Sequence, residues 1–452
     1  MLNTIVRGDE MHLKTLQKIF ANVDTLLDDP DFIQKNKVGK TSFTRKRALD
    51  FKTTFYAVCS SGKGSLSTEL TKFENNAEGN VSHFSAQAFS KARYKIKSAA
   101  FYNIFRESAK IFCAQKEFQT LWGYRVFAVD GTSLILPESK ENHRSFGSGG
   151  TKEKTYAMAS ASIFYDVLND IVLDGTIGRY QTSERKSCYK MLKRTNTKFT
   201  GKNKLILLDR GYQSREMYHF LQDHGYKYVI RVQCGKSTPK AIRAAQGDDC
   251  MVTDARDKTL VHRVIKITLE SGETEILVTN LFDQSLTVED FYQLYHLRWK
   301  IETKYSEIKH KFKLEKFTGY RPEGIRQDFY AVLFLSCLTS LTKHESEARR
   351  VKKKNTKWDY QINILAVINA LIDNITRLFY AGKSLIECRL TLLVDSLKNK
   401  RSVIRPDRHT ERKKPRTVKR YYLNPNYGQT LTKDYFGHAS FLPGFINYTA
   451  KS

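Results

Sequence analysis

The spacing of apolar residues changes character along this chain. Up to about residue 115 they recur every three or four positions, as in MHLKTLQKIFANVDTLL, which predicts amphipathic helices. Stretches 65–73 and 85–97 read as two more helices separated by the polar link NNAEGN. From about residue 120 the period shortens. Residues 124–130 form a short apolar run, and 155–165 and 171–177 flank the turn DVLND as a hairpin. Residues 182–194 then predict a helix, 204–209 a strand, 214–224 a helix and 226–232 a strand. Strand-like segments at 261–269 and 275–281 follow. The stretch LYHLRWKIETKYSEIKHKFKLEKF, 294–317, has no Pro or Gly and reads as one helix. From 329 onward the chain reads as helical again, with VKKKNTK at 351–357 as a solvated loop.

Three strands, then helix, strand, helix, strand, is the order of an α/β, RNase H-like core: a mixed sheet flanked by helices. Here it is interrupted by a β insertion at 233–285 and bracketed by helical N-terminal and C-terminal regions.

Within 294–317, Leu294, Leu297, Ile301 and Ile308 make an apolar stripe. Tyr295, Arg298, Glu302 and Lys309 follow the same spacing one residue later and fall within a roughly 60° arc. Alone, this is an ordinary solvated face with an Arg298–Glu302 ion pair. Two other segments change the picture. The runs VFAVDGT (126–132) and LILLDRGY (205–212) each read as a buried strand ending in an acid, Asp130 and Asp209. Either Asp alone is common turn chemistry. Both, however, follow apolar runs and both precede the acid on the helix.

The pattern Y-x2-R-x3-E-x6-K at Tyr295, Arg298, Glu302 and Lys309, with D-G-T at Asp130 and D-R-G-Y at Asp209, resembles the DDE transposases of the IS4 type. The flanks LVTNL (277–281), Trp299 and LEKFTG (314–319) agree, and the resemblance spans roughly 120–340. It implies that Asp130, Asp209 and Glu302 are both catalytic residues and metal ligands. It implies as cofactor two Mg²⁺, with Mn²⁺ as a substitute, Asp130 bridging both and the other acids holding one each. Carboxylates suit this because Mg²⁺ takes hard oxygen ligands, and two such ions roughly 3.5–4 Å apart can drive an in-line phosphodiester displacement. Tyr295, Arg298, Lys309, Arg210 and Tyr212 are expected at DNA. The partners implied are double-stranded DNA, both transposon ends and target, and a second copy of the chain in a synaptic homodimer.

Composition agrees with a polyanion partner: 76 Lys+Arg stand against 47 Asp+Glu, a net charge of +29. The 24 Tyr and 27 Phe allow a real core. The seven cysteines show no C-x2-C or zinc spacing and read as reduced thiols. The N-terminus lacks a signal-peptide core, and the apolar stretch 329–341 is too short to span a bilayer. A cytoplasmic, nucleoid-associated protein with no membrane partner is expected.

The expected units are a DNA-end-binding helical domain at 1–115, core at 120–232, insertion at 233–285, core with the Glu302 helix at 286–345, and a helical, basic region at 346–452. Helix 85–97 carries Lys91, Arg93, Lys95 and Lys97 and fits the recognition helix of a helix-turn-helix, with Lys91 and Arg93 on DNA. A plain bundle with a basic surface has the same spacing. Residues 398–420 hold eleven Lys/Arg and two acids, read as a phosphate-binding arm rather than a solvated linker. Some IS4-type enzymes stack a flipped base on a Trp of the insertion; here 233–285 has none, leaving Phe282, Tyr226 and Tyr228 as stand-ins and Trp299 as a packed anchor. Rival readings are a nuclease of the same fold without end specificity and an inactive DNA-binding relic.

Overall fold

The computed structural model describes residues 11–404 except 46, 116, 152–154, 196, 234–237, 270–271 and 351–356. The amino-terminal segment, nearly all of 351–357 and most of the basic arm 398–420 therefore lie outside the described residues.

Nine strands make one sheet: β1 (Arg125–Ile135), β2 (Ser148–Gly150), β3 (Thr155–Asp166), β4 (Ile171–Arg179), β5 (Lys204–Leu208), β6 (Tyr226–Val232), β7 (Asp249–Asp254), β8 (Asp257–Thr268) and β9 (Thr274–Thr279). β1 lies inside, antiparallel to β3 and parallel to β5, and β5 is parallel to β6. β4 pairs β3 antiparallel, which completes the order β4-β3-β1-β5-β6 of the RNase H-like core. The buried runs behave as covered central strands should: Lys204–Leu208 is buried at every position. The insertion is not a separate layer. β9 pairs β6 antiparallel and β8 and β7 follow, so the insertion extends the same sheet.

The long helix Pro322–Ala348 is buried almost throughout. Apolar residues surround it, as expected of a helix covered on all sides. It contacts helices Met11–Asp28, Phe51–Cys59 and Ser98–Cys113 as well as β4. Gly175 on β4 makes room for it, since a Cβ there would collide with Leu333. The N-terminal helices thus share a core with the long helix that packs on β4. A two-stranded pair, β10 (Asp359–Ile362) with β11 (Arg401–Ile404), lies outside the main sheet and was not predicted.

The helix expected over 294–317 is broken into Val288–His296, Trp299–Ser306 and a wide turn at Glu307–Lys311. Leu297 and Arg298 keep helical dihedrals, but the N–H groups of 297, 298, 300 and 301 each bond three residues back. The Phe312 N–H then reaches Glu307 O, five residues back. No Gly or Pro marks these changes of winding. They occur where the two halves dock on different strands.

Arg93 is a correction. Instead of facing DNA, it is buried and donates to Gln327 Oε1, Gly324 O and Asp328 Oδ1 at 2.8, 3.0 and 2.8 Å. Its helix ends at Arg93 and turns Phe89, Ala92 and Arg93 inward. A buried guanidinium needs such a full set of acceptors. Lys91 is exposed and lines a cavity with Arg45, Arg47 and Lys95. Trp299 is a second correction: it is 41% exposed rather than packed away. Tyr226 and Tyr228 are buried, so among the stacking stand-ins Phe282, 43% exposed, is the ring that meets solvent. The six described cysteines are all free. No described helix is long and apolar enough to cross a membrane.

Candidate active site

The two aspartates are neighbours because of strand register. Ala128 on β1 pairs with Leu207 on the parallel β5, so two residues further along each strand bring Asp130 and Asp209 to the same end of the sheet. Each carboxylate is fixed by the backbone that follows it. The Gly131 N–H donates to Asp130 Oδ1 at 2.8 Å, and the Gly211 N–H donates to Asp209 Oδ1 at 2.8 Å. Asp209 thereby caps the short 3₁₀ turn Arg210–Tyr212.

Glu302 is delivered to that end by a helix anchored at several points. Ile301, Lys304, Tyr305 and Ile308 recur at i, i+3, i+4 and i+7 and are all buried. The Tyr305 hydroxyl donates to Asp130 O at 2.7 Å and accepts from the Ile163 N–H at 3.0 Å, clamping the helix to β1 and β3. Lys304 is buried between Asp170 Oδ1 and Glu307 Oε1, at 2.7 and 2.9 Å. A buried ammonium is tolerable there because two carboxylates and the Ser340 hydroxyl accept from it. The preceding helix is tied to the other aspartate strand, where the Tyr295 hydroxyl donates to Leu208 O at 3.4 Å.

Arg298 joins the acids. Its guanidinium lies 2.8 Å from Glu302 Oε1 and 3.9 Å from Asp130 Oδ2. Its Nε–H is buried with no partner among the described residues. Lys309 donates to Ser133 O on β1 at 2.7 Å. Tyr295 and Arg298 are buried and so do not form an exposed stripe; with Lys309 they brace the acids against β1 and β5. Tyr212 is also buried, its hydroxyl without a partner among the described residues, whereas Arg210 is exposed. Of the residues expected at DNA, Arg210 and Lys91 are exposed and Lys309 is half-buried.

Asp130 is the perturbed acid. Burial pushes its pKa up to about 6, and the charges of Asp209 and Glu184 push the same way against the Gly131 N–H and Arg298. Among the described residues, no three acid, His or Cys side chains stand in one metal-holding group. The three acids therefore reach one end of the sheet but not one coordination shell; Arg298 sits between two of them. The donor set still suits a hard divalent cation. It is all carboxylate oxygen, and a cationic group already sits between Asp130 and Glu302.

Sequence reasoning missed Tyr305, Lys304 and Glu184. The first two had a signal, since both lie on the buried stripe of Ile301 and Ile308 where a Lys is out of place. Glu184 had none: its nearness to the aspartates comes from the fold.

Residues 121–338, which include all three acids, match the family model described as Transposase DDE domain. The transposase InsG for insertion sequence element IS4, from Escherichia coli (strain K12), is 21% identical over 327 residues, 68% of this chain and 72% of that protein. Among solved structures, a cryo-EM structure of the piggyBac transposase synaptic complex with hairpin DNA aligns over 87% of this chain and 88% of that chain, at 11% identity and a TM-score of 0.43.

Proposed function

The chain belongs to the IS4-type DDE transposase family, and on that premise we propose that it cuts and joins DNA at the terminal inverted repeats of its own element, a cut-and-paste reaction. The observation that carries this reading is the placement of Asp130 and Asp209 at the same end of the paired strands β1 and β5, with the Arg298 guanidinium between Asp130 and Glu302.

Asp130, Asp209 and Glu302 would be the residues that hold divalent cations, Mg²⁺ with Mn²⁺ as a substitute. When bound, the ions supply an activated water or 3′-hydroxyl and stabilise the leaving oxygen. The protein's own groups do the rest. Arg298, with one buried N–H unpaired, would release its carboxylates and take a terminal phosphate through charge-assisted bonds. Lys309 would exchange Ser133 O for the next phosphate along the strand. Tyr295 and Tyr305 keep the two helices on the aspartate strands throughout. Arg45, Arg47, Lys91 and Lys95, gathered around one cavity, would hold the phosphates of the end DNA. Two copies would pair the ends and engage the target.

The test is an assay on a DNA fragment carrying the element's end. Single Ala replacements of Asp130, Asp209 and Glu302 are expected to abolish Mg²⁺-dependent strand cleavage, by about 10³-fold or more, while end binding stays near the parent's. Undiminished cleavage by Glu302→Ala would remove that helix from the site.

A further inference from the structure

The helix Glu184–Arg194 starts beside the aspartates and carries a row of lysines away from them. A Cβ on Gly131 would lie 2.5 Å from Glu184 Oε1, and one on Gly211 would lie 3.8 Å from Glu184 Oε2. The first residue of this helix therefore lies against the backbone that follows each aspartate. The helix also packs on the turn Arg210–Tyr212, whose Arg210 is exposed. Asp130 feels the charges of both Arg298 and Glu184, whereas the charge that acts on Glu184 is that of Asp209. Two different helices thus flank the aspartates: one brings Arg298 to Asp130, the other starts near Asp209.

The second helix is two-faced. Cys188, Met191 and Leu192 are buried. Lys186, Lys190 and Lys193 recur at spacings of four and three, fall within a roughly 60° arc opposite them, and are all exposed. At 1.5 Å per residue the row is about 10 Å long. An ordinary solvated face mixes its charges, so that acids and bases pair one turn apart. Here no acid stands three or four residues from any of the three lysines. None of them forms an ion pair among the described residues; Lys193 lies 5.9 Å from the Phe220 ring. Lys186 with Lys190, and Lys190 with Lys193, are instead like-charge neighbours, which cost the isolated helix stability. A polyanion laid along the row reverses that cost.

We infer that Lys186, Lys190 and Lys193, with Arg210 beside the acids, hold the phosphates of the duplex that lies across the cut from the element end. The inference rests on the proposed reaction and adds to it. Arg298 and Lys309 take the element's side of the cut, and the lysine row takes the other. Its length matches roughly three phosphate steps at 3.4 Å of axis rise each. Lysines on phosphate position DNA without reading its bases. That suits DNA that is not part of the element, whether the flank before cutting or the target at joining.

The experiment compares the full-length parent with a variant carrying Lys186→Gln, Lys190→Gln and Lys193→Gln together. Binding is measured at several salt concentrations on two fragments, one ending at the element's terminus and one continuing into flanking duplex. Joining of pre-cut ends to a plasmid is measured alongside. The variant should melt like the parent and bind the trimmed end like the parent. On the flanked fragment it should lose about tenfold or more in affinity, and its salt slope should fall by about 2 to 3. Joining should fall by about tenfold as well. A loss on the flanked fragment alone assigns the row to flanking DNA, and a loss of joining alone assigns it to target DNA; both support the inference. Equal losses on trimmed and flanked fragments would show general charge attraction and overturn it, as would a variant that matches the parent in every assay. If the parent neither binds nor cuts the end, the proposed reaction itself fails.

Discussion

Asp130 sits where burial disfavours the carboxylate. Its pKa is raised from 3.8 to about 6, with burial as the main cause. A raised carboxyl pKa means the folded state binds the proton more tightly than the unfolded chain. The stabilisation is fully present below about pH 4 and is lost as pH rises through about 6. Without metal, Asp130→Asn should therefore stabilise the protein at pH 8 by about 1–3 kcal/mol and leave it unchanged at pH 4. Chemical denaturation at the two pH values measures this, and an equal effect at both would show that burial and Asp209 do not set the proton affinity of Asp130. Added Mn²⁺ should reverse the ranking, because the carboxylate form is the one that binds a cation.

At the scale of elements, two tyrosines do the positioning. Tyr295 docks on the carbonyl before Asp209 and Tyr305 on the carbonyl of Asp130 itself. Tyr305→Phe leaves that carbonyl and the Ile163 N–H without their partner, so it should cost about 1–3 kcal/mol and reduce cleavage more than end binding. The exposed Tyr292, on the preceding helix, is the control: Tyr292→Phe should change neither. Equal effects of the two substitutions on denaturation midpoint would rule out the anchoring role. The strands that carry the aspartates were legible because an apolar run ending in an acid leaves little freedom of register. The break at 297–298 was not, because no Gly or Pro signals it and only docking onto two different strands produces it. Glu184 was illegible for a related reason: its helix was predicted, but where its carboxylate reaches depends on the sheet it crosses.

At the scale of the molecule, charge in a basic stretch was read as surface, and for Arg93 that was wrong. Its partner Asp328 lies 235 residues away in sequence, in the long buried helix, and no local pattern reveals it. The pair ties the N-terminal helices to that helix, with Lys63 also 3.5 Å from Asp328. Arg93→Ala should cost about 3–5 kcal/mol, as expected when a buried carboxylate loses its main partner. Lys91→Ala should leave stability unchanged, weaken end binding and reduce the salt dependence of binding by about one phosphate contact. A stable Arg93→Ala protein with a selective loss of DNA binding would return Arg93 to the DNA surface.

Cutting of the element end should depend on ions held by Asp130, Asp209 and Glu302. The most direct test replaces each in turn with Cys and compares cleavage of the element end in Mg²⁺ and in Mn²⁺. A thiolate is a poor ligand for Mg²⁺ and a better one for softer transition metals. Cleavage should be lost in Mg²⁺ and regained in part in Mn²⁺ for all three variants, with end binding retained. Cleavage in Mg²⁺ at the parent's rate by any of the three would contradict it.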